Sequence, residues 1–297
     1  KGDARPGASN IETSETGGLR LNIRVRLAVI LLIPGLIPLE ALTYSLNQKI
    51  KAELLDINKN QLVALREEKK LQIESYFKQI ESQIITFSNN HMIVNAMKEF
   101  KKAFFKVEKE TGEKYSFQKE NLISRYQYQL QNTPGASSGS LDKWLPSKKV
   151  SQILQSFYIT ENPDPIGKKH LLKQASDSSS YSKAHGKFHP AIRDFSERFG
   201  YYDIFLVEPE TGHIVYTVFK EVDFSTSLLT GPYAETGLGR AFKAALNAES
   251  SDTVVFDDFE PYEPSYNAAA AFIASPIYDK EVKVGILILQ APIDRIN

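Results

Sequence analysis

From Thr43 to Phe87 the chain contains neither proline nor glycine, and charged and apolar residues alternate at helical spacing. A helix of that length reaches roughly 65–70 Å at 1.5 Å per residue. Such a reach is out of scale for the core of a compact globule and suits a stalk. Ile73, Phe77, Ile80, Ile84 and Phe87 recur at steps of three and four. That stripe is read as core packing against other helices, with a dimer seam as the sharper alternative.

The segment before it sharpens the constraint. Leu27–Leu46, LAVILLIPGLIPLEALTYSL, is a largely apolar run, long enough to cross a hydrocarbon core of about 30 Å. Arg20, Arg24 and Arg26 precede it, which predicts a cytoplasmic N-terminus. A cleaved signal peptide is the rival reading, weakened by the length of the run and the lack of a small-residue cleavage site. Pro34 and Pro38 are tolerable in a membrane helix. Glu40 reads as a carboxylate that snorkels to the outer interface, or as a functional intramembrane group. Lys1–Leu19 is rich in Gly, Ser, Thr and Glu without periodicity and is expected to be disordered. The chain opens on Lys and stops after a strand, so both ends read as cuts from a longer protein.

Further along, Met92–Lys109 is predicted helical, with Thr111-Gly112 as its stop. Helices are also predicted over Tyr115–Gln131, over Leu141–Phe157, and over Tyr181–Glu197 with an interruption at Pro190. TPGASSGS (Thr133–Ser140) reads as a loop. Residues 88–175 lack the alternation of strands.

The pattern then changes period. Tyr202–Glu208 and Ile214–Phe219 are rich in β-branched and aromatic residues and flank a Glu210-Thr211-Gly212 turn, a hairpin in sequence form. A short helix over Glu235–Leu246 follows, then strands over Thr253–Phe259, Ala271–Tyr278 and Val282–Gln290. The expected fold class is α+β: a long N-terminal helix and helical subdomain, then one five-stranded antiparallel PAS-like sheet with flanking helices.

DIFLVEPETGHIVYTVFK (Asp203–Lys220), DFSTSLLTGPYAETGLGRAF (Asp223–Phe242), FEPYEPSYNAAAAFIASPIYD (Phe259–Asp279) and VGILILQAPIDRIN (Val284–Asn297) closely resemble the extracytoplasmic Cache-type sensor of bacterial transmembrane receptors. The likeness is strongest to methyl-accepting chemotaxis proteins. YSKAHGKFHPAIRDFSERFGYYD (Tyr181–Asp203) looks like the run-in of the same receptors, and the match spans roughly residues 40–297. The resemblance implies a cytoplasmic stretch over 1–26, a membrane helix over 27–46, a stalk and helical membrane-distal region over 47–180, and a Cache sensor over 181–297. It implies residues 47–297 outside a bacterial inner membrane, and APIDRIN resuming a helix toward a second span. The output domain, outside this chain, would be a chemotaxis signalling hairpin first, a histidine kinase or nucleotide cyclase second.

Composition excludes more than it selects. Net charge is zero and no folded segment carries a sustained basic run, which disfavours nucleic acid. The absence of cysteine removes disulfides, thiol chemistry and most structural zinc patterns. No catalytic signature such as G-x-S-x-G, a phosphate-binding glycine loop or H-E-x-x-H is present; an enzyme is not expected, nor a cofactor. His185 and His189 are four apart on a predicted helix, but no third ligand is assignable; packing is preferred and no metal is expected.

Ligand binding has better support. The Lys220–Tyr233 link, KEVDFSTSLLTGPY, is too long for a turn and rich in polar side chains. Tyr216, Phe224, Tyr233, Tyr262, Tyr266 and Phe272 are candidate walls of a small-molecule pocket. Lys220, Asp223, Thr226 and Ser275 are its candidate polar groups. Strand alternation places Ile214, Tyr216, Val218 and Lys220 on one face. Lysine suits an anionic group, Asp223 an amine, and the two together an amino acid. The resemblance widens the choice to carboxylates, amino acids, amines or purines; a homodimer, formed in parallel through the long helix, is expected. Against this stand plainer roles: tyrosines as core residues with satisfied hydroxyls, Asp223 and Thr226 holding their own loop, Lys220 solvated, Asp257-Asp258 an exposed strand end. A module that reads a periplasmic protein, with no small ligand, is the further alternative.

Overall fold

The computed structural model describes residues 22–111, 118–136 and 138–292. The expectations for Lys1–Leu19, Arg20, the Gly112 stop and the helix resuming over residues 293–297 lie outside the described residues. The chain divides into two compact units, Lys1–Leu71 and Gln72–Asn297.

Helix α1 (Ile23–Ser88) carries both Pro34 and Pro38 within it and is long and apolar enough to cross a membrane. From Asn22 to Leu71 every residue is exposed. In the second unit the stripe of α1 turns inward: Ile80, Ile84 and Phe87 are buried. Phe87 stacks on Phe195 with centroids 3.8 Å apart.

The second unit is built on one antiparallel sheet of order β2-β1-β5-β4-β3, with β1 (Asp203–Val207), β2 (Ile214–Thr217), β3 (Val255–Tyr262), β4 (Ala268–Asp279) and β5 (Val282–Pro292). Helices cover both faces because the strands are apolar on both: β1 is buried at all five positions. On one face Ile204, Leu206, Tyr216, Ile273, Leu287 and Leu289 pack with the end of α1 and with α2 (His91–Thr111), α5 (Lys149–Gln155) and α6 (Ser180–Phe199). On the other, Phe205, Val207, Ile214, Phe272, Ile286 and Ile288 pack with α3 (Lys119–Asn132), α4 (Ser138–Trp144) and α7 (Gly237–Leu246). This is the expected α+β class.

Three local expectations are corrected. The helix predicted over Leu141–Phe157 is two, α4 and α5, because Pro146 in the Leu145–Lys148 break cannot donate a helical hydrogen bond; a π-turn, Ser156–Thr160, follows α5. Helix α6 runs through Pro190 without interruption. Its buried face, from Tyr181 through His185, Phe188 and Ile192, holds it against α2 and the sheet, so packing outweighs one lost hydrogen bond. Ser179 accepts from the Ser182 amide at its start, and Gly200, at φ 75°, closes it in the left-handed conformation.

The third correction concerns the hairpin. A register shift between Leu206 and Val207 pairs Val207 with Ile214 but Leu206 with Tyr216. The extra residue rotates the strand. Ile214 and Tyr216 therefore lie in opposite clusters rather than on one face. The strand also ends at Thr217, so Lys220 is placed by a turn and not by alternation.

Candidate ligand-binding site

The exit from β2 is captured by the first residue of β1. The Asp203 carboxylate accepts from the amides of Val218 and Phe219 at 2.7 and 3.2 Å and from the Thr217 hydroxyl at 2.6 Å. Thr217 Oγ1 in turn accepts from the Lys220 amide at 3.1 Å. Lys220 takes φ 57°, a left-handed backbone that few lysines adopt. That bend folds its side chain back over the sheet face of Tyr216.

The ammonium of Lys220 is enclosed by rings. Nζ lies 4.4 Å from the centroid of Tyr216, 5.3 Å from Phe224 and 5.6 Å from Tyr158, and donates to the Thr217 carbonyl. Burial pushes its pKa well below the ordinary lysine value, against the opposing pull of Asp203. Burial likewise raises Asp203, while the Thr217 bond and Lys220 oppose it.

Behind this cage lie two stacked histidines. His185 and His189 have centroids 4.3 Å apart. His189 Nε2 reaches the His170 carbonyl at 2.7 Å, so it carries the proton, and Nδ1 accepts from the Tyr216 hydroxyl at 2.6 Å. His185 Nδ1 donates to the Lys173 carbonyl at 2.7 Å. Burial, then the Lys220 charge, depresses both rings, His189 to about 3. Both are neutral at ordinary pH.

A second polar group sits on the other side of the Lys220–Tyr233 segment. Asp223 Oδ2 accepts from the Tyr262 hydroxyl at 2.7 Å. The Tyr262 ring meets Phe272 at 4.9 Å and Tyr233 at 6.2 Å. Burial first, and the Asp203 charge next, raise Asp223 to about 7. Gln155 bridges the two groups: Nε2 donates to the Phe224 carbonyl at 2.8 Å, and Oε1 accepts from the Tyr126 hydroxyl at 2.7 Å. The Lys169–Glu221 ion pair, at 3.0 Å, is almost fully buried.

The predicted site residues thus divide. Tyr216, Lys220 and Phe224 form the cage; Asp223, Tyr233, Tyr262 and Phe272 form the second group. Thr226 donates its hydroxyl to the Asp223 carbonyl at 2.7 Å and forms part of a cleft wall. Tyr266 sits half-buried in a left-handed conformation after the short turn Glu263–Ser265. Ser275 is elsewhere, on the α1 side, 3.3 Å from the Ser88 hydroxyl.

The cleft, about 380 Å³, opens between the α4–α5 break and the end of the Lys220–Tyr233 segment. Trp144, Lys148, Ser151, His213, Thr226 and Thr230 are among the residues that line it. Among the described residues, the buried Trp144 Nε1, on this wall, lacks a hydrogen-bond partner, as do Asp223 Oδ1, Ser225 Oγ and Tyr233 OH, whose residues do not line the cleft. Ser225 is tied to the wall through its carbonyl, which accepts from Ser151 Oγ at 2.7 Å. Lys143, also lining the cleft, lies 5.6 Å above the Tyr233 ring. Sequence reasoning missed Asp203, Tyr126, Trp144, Lys148 and His213 as site residues. The signal available was Pro146, which forces the break that turns Trp144 and Lys148 toward one concavity.

No family model matches the sequence, and no curated protein matches it. Among solved structures, the V. cholerae histidine kinase DctB sensor domain aligns at 14% identity with a TM-score of 0.31, covering 61% of this chain and 59% of that one. A likeness of that extent does not establish a shared fold.

Proposed function

We propose that this chain is the ligand-sensing region of a bacterial transmembrane receptor, a chemoreceptor in the first instance. Residues 47–297 lie outside the cytoplasmic membrane and pass a conformational signal through continuous helices to an output domain. The observation that carries the ligand reading is the cleft of about 380 Å³, whose wall includes the buried indole of Trp144 with Nε1 unpartnered among the described residues. Buried polar groups without partners cost about 1–3 kcal/mol each. An unpartnered donor in the wall of a cleft fits a site that a small molecule completes. The apolar run Leu27–Leu46, exposed throughout, supports the membrane anchor, and the sequence resemblance supports the receptor class. A histidine kinase or cyclase output would use the same input region. A homodimer formed by two copies belongs to this reading.

Signal follows from differential affinity: a ligand biases only those arrangements it binds unequally. The test is a thermal-shift screen of the full chain in detergent against amino acids, organic acids, amines and purines. A ligand specific for the folded state stabilises by about 2.7 kcal/mol at a hundredfold excess over Kd. A saturable shift that Thr226→Val or Tyr233→Ala weakens supports the reading. Absence of any shift across the panel counts against a small-molecule sensor and favours a protein partner.

A further inference from the structure

Glu40 is the one carboxyl or basic side chain between Arg26 and Lys49. The thickness of a bilayer fixes its depth. From Leu27 to Leu39 the helix measures only about 20 Å at 1.5 Å per residue, well short of a hydrocarbon core of about 30 Å. Crossing takes the whole run to Leu46, which leaves Glu40 about 9 Å inside the outer boundary. Snorkelling does not bring it out. Side chains on a helix lean toward its N-terminus. Arg24 and Arg26 hold that end at the cytoplasmic face, so the lean carries the carboxyl inward.

Within hydrocarbon a carboxyl persists as the neutral acid, and it needs a hydrogen-bonding partner at its own depth. Helix α1 offers none: among the described residues Glu40 makes no hydrogen bond or ion pair, and the neighbouring Thr43 hydroxyl already donates to the Leu39 carbonyl at 2.8 Å. A second, parallel copy supplies one. Symmetry sets its Glu40 at the same depth, and a carboxylic acid, both donor and acceptor, is its own complement. The spacing agrees. Ile30, Ile33, Ile37, Glu40 and Tyr44 recur at alternating steps of four and three, the line of a two-stranded seam, and all five are exposed. Pro34 and Pro38 fall off that line. The opposite line, Ala28, Leu32, Gly35, Leu39 and Leu42, has the same spacing and no polar side chain.

We propose, building on the membrane-anchor reading above, that two parallel copies of α1 pair inside the bilayer along Ile30, Ile33, Ile37, Glu40 and Tyr44, with the two Glu40 carboxyls hydrogen-bonded to each other across the seam.

The chain has no cysteine, so single cysteines report the seam directly. The full chain carrying Ile33→Cys, Ile37→Cys, Leu32→Cys or Leu39→Cys is reconstituted in phosphatidylcholine–phosphatidylglycerol vesicles and oxidised with copper phenanthroline. Expected are disulfide-linked dimers at Ile33→Cys and Ile37→Cys and few at Leu32→Cys and Leu39→Cys. Adding Glu40→Leu should weaken the Ile37→Cys dimer about tenfold, read by dilution with lipid. Glu40→Gln, which keeps a donor and an acceptor, should hold it. Dimers at Leu32→Cys and Leu39→Cys instead, or an Ile37→Cys dimer indifferent to Glu40→Leu, overturn the carboxyl seam. Depth is read separately, by reaction of Glu40→Cys with a membrane-impermeant maleimide. No dimer at any position, with Glu40→Cys unreactive, overturns the seam and leaves the anchor standing. Rapid labelling of Glu40→Cys places the residue in water and overturns the anchor as well.

Discussion

The Lys220 ammonium lies 4.4 Å from the centroid of the Tyr216 ring and donates to a backbone carbonyl, and among the described residues it makes no ion pair with a carboxylate. Cation–π contact compensates part of the lost hydration, but burial still favours the neutral amine. In the unfolded chain the lysine holds its proton up to about its ordinary pKa of 10.5. Between the lowered folded value and 10.5 the unfolded state binds more protons, so this group makes stability rise with pH. Lys220→Met should flatten the rise in unfolding free energy between about pH 8 and 10. Urea titrations across that interval test it; an unchanged slope would place the compensation elsewhere.

Asp223 carries the opposite sign. Its folded pKa is raised from 3.8 to about 7, so between those values the folded state binds the extra proton and stability falls as pH rises. Asp223→Asn keeps an acceptor for Tyr262 and removes the charge. Its effect should be small near pH 4 and stabilising by up to a few kcal/mol near pH 8, at 1.36 kcal/mol per unit. Calorimetry at both pH values decides; an equal effect at both refutes the titration argument.

The Lys169–Glu221 pair is buried at both ends, at 3.0 Å. Lys169→Met alone strands a buried carboxylate and should cost about 3–5 kcal/mol. Lys169→Met with Glu221→Leu should recover most of that loss, because an apolar pair needs no solvation. Chemical denaturation of the single and double variants makes the comparison, and a double variant no better than the single one argues against charge burial as the cause.

Gly285 on β5 faces α2 so closely that an added Cβ would lie 2.4 Å from Met97 Sδ. Met97 is fully buried, so it has little room to yield. Gly285→Ala should destabilise by about 1–3 kcal/mol, and Met97→Ala in the same chain should relieve part of it. The relief is read as the coupling energy of a double-mutant cycle; zero coupling would mean that this contact does not set the α2–β5 spacing.

Periodicity carried the element order a long way. The helical stripe ending at Phe87, the continuous apolar, β-branched and aromatic run over Ile204–Val207 and the glycine turn at Gly212 each encode their conformation within a few residues. The apolar run after Leu27 and the proline-free helix after it are equally local signals, and they settle the length and character of α1 without any tertiary contact. Pro190 misled because packing against α2 and the sheet supplies what one hydrogen bond loses. Ile214 and Tyr216 misled because one bulged residue inverts a strand's faces, and bulges leave no mark in a pattern of apolar letters.

Which charges meet is a matter of three dimensions. Asp203 and Thr217 are 14 residues apart, yet they decide where β2 ends and hence where Lys220 points. Trp144 and His213 are further apart still, and they share a cleft only because the α4–α5 break and the β1–β2 hairpin converge. The amino-acid sequence by itself determined the period of each element and the anchor-like apolar helix, since those follow from residue-to-residue spacing along the backbone. Tertiary structure alone decided that Lys220 is consumed in a ring cage while Lys148, exposed, makes no ion pair among the described residues, because burial and partnering depend on groups that chain order does not bring together.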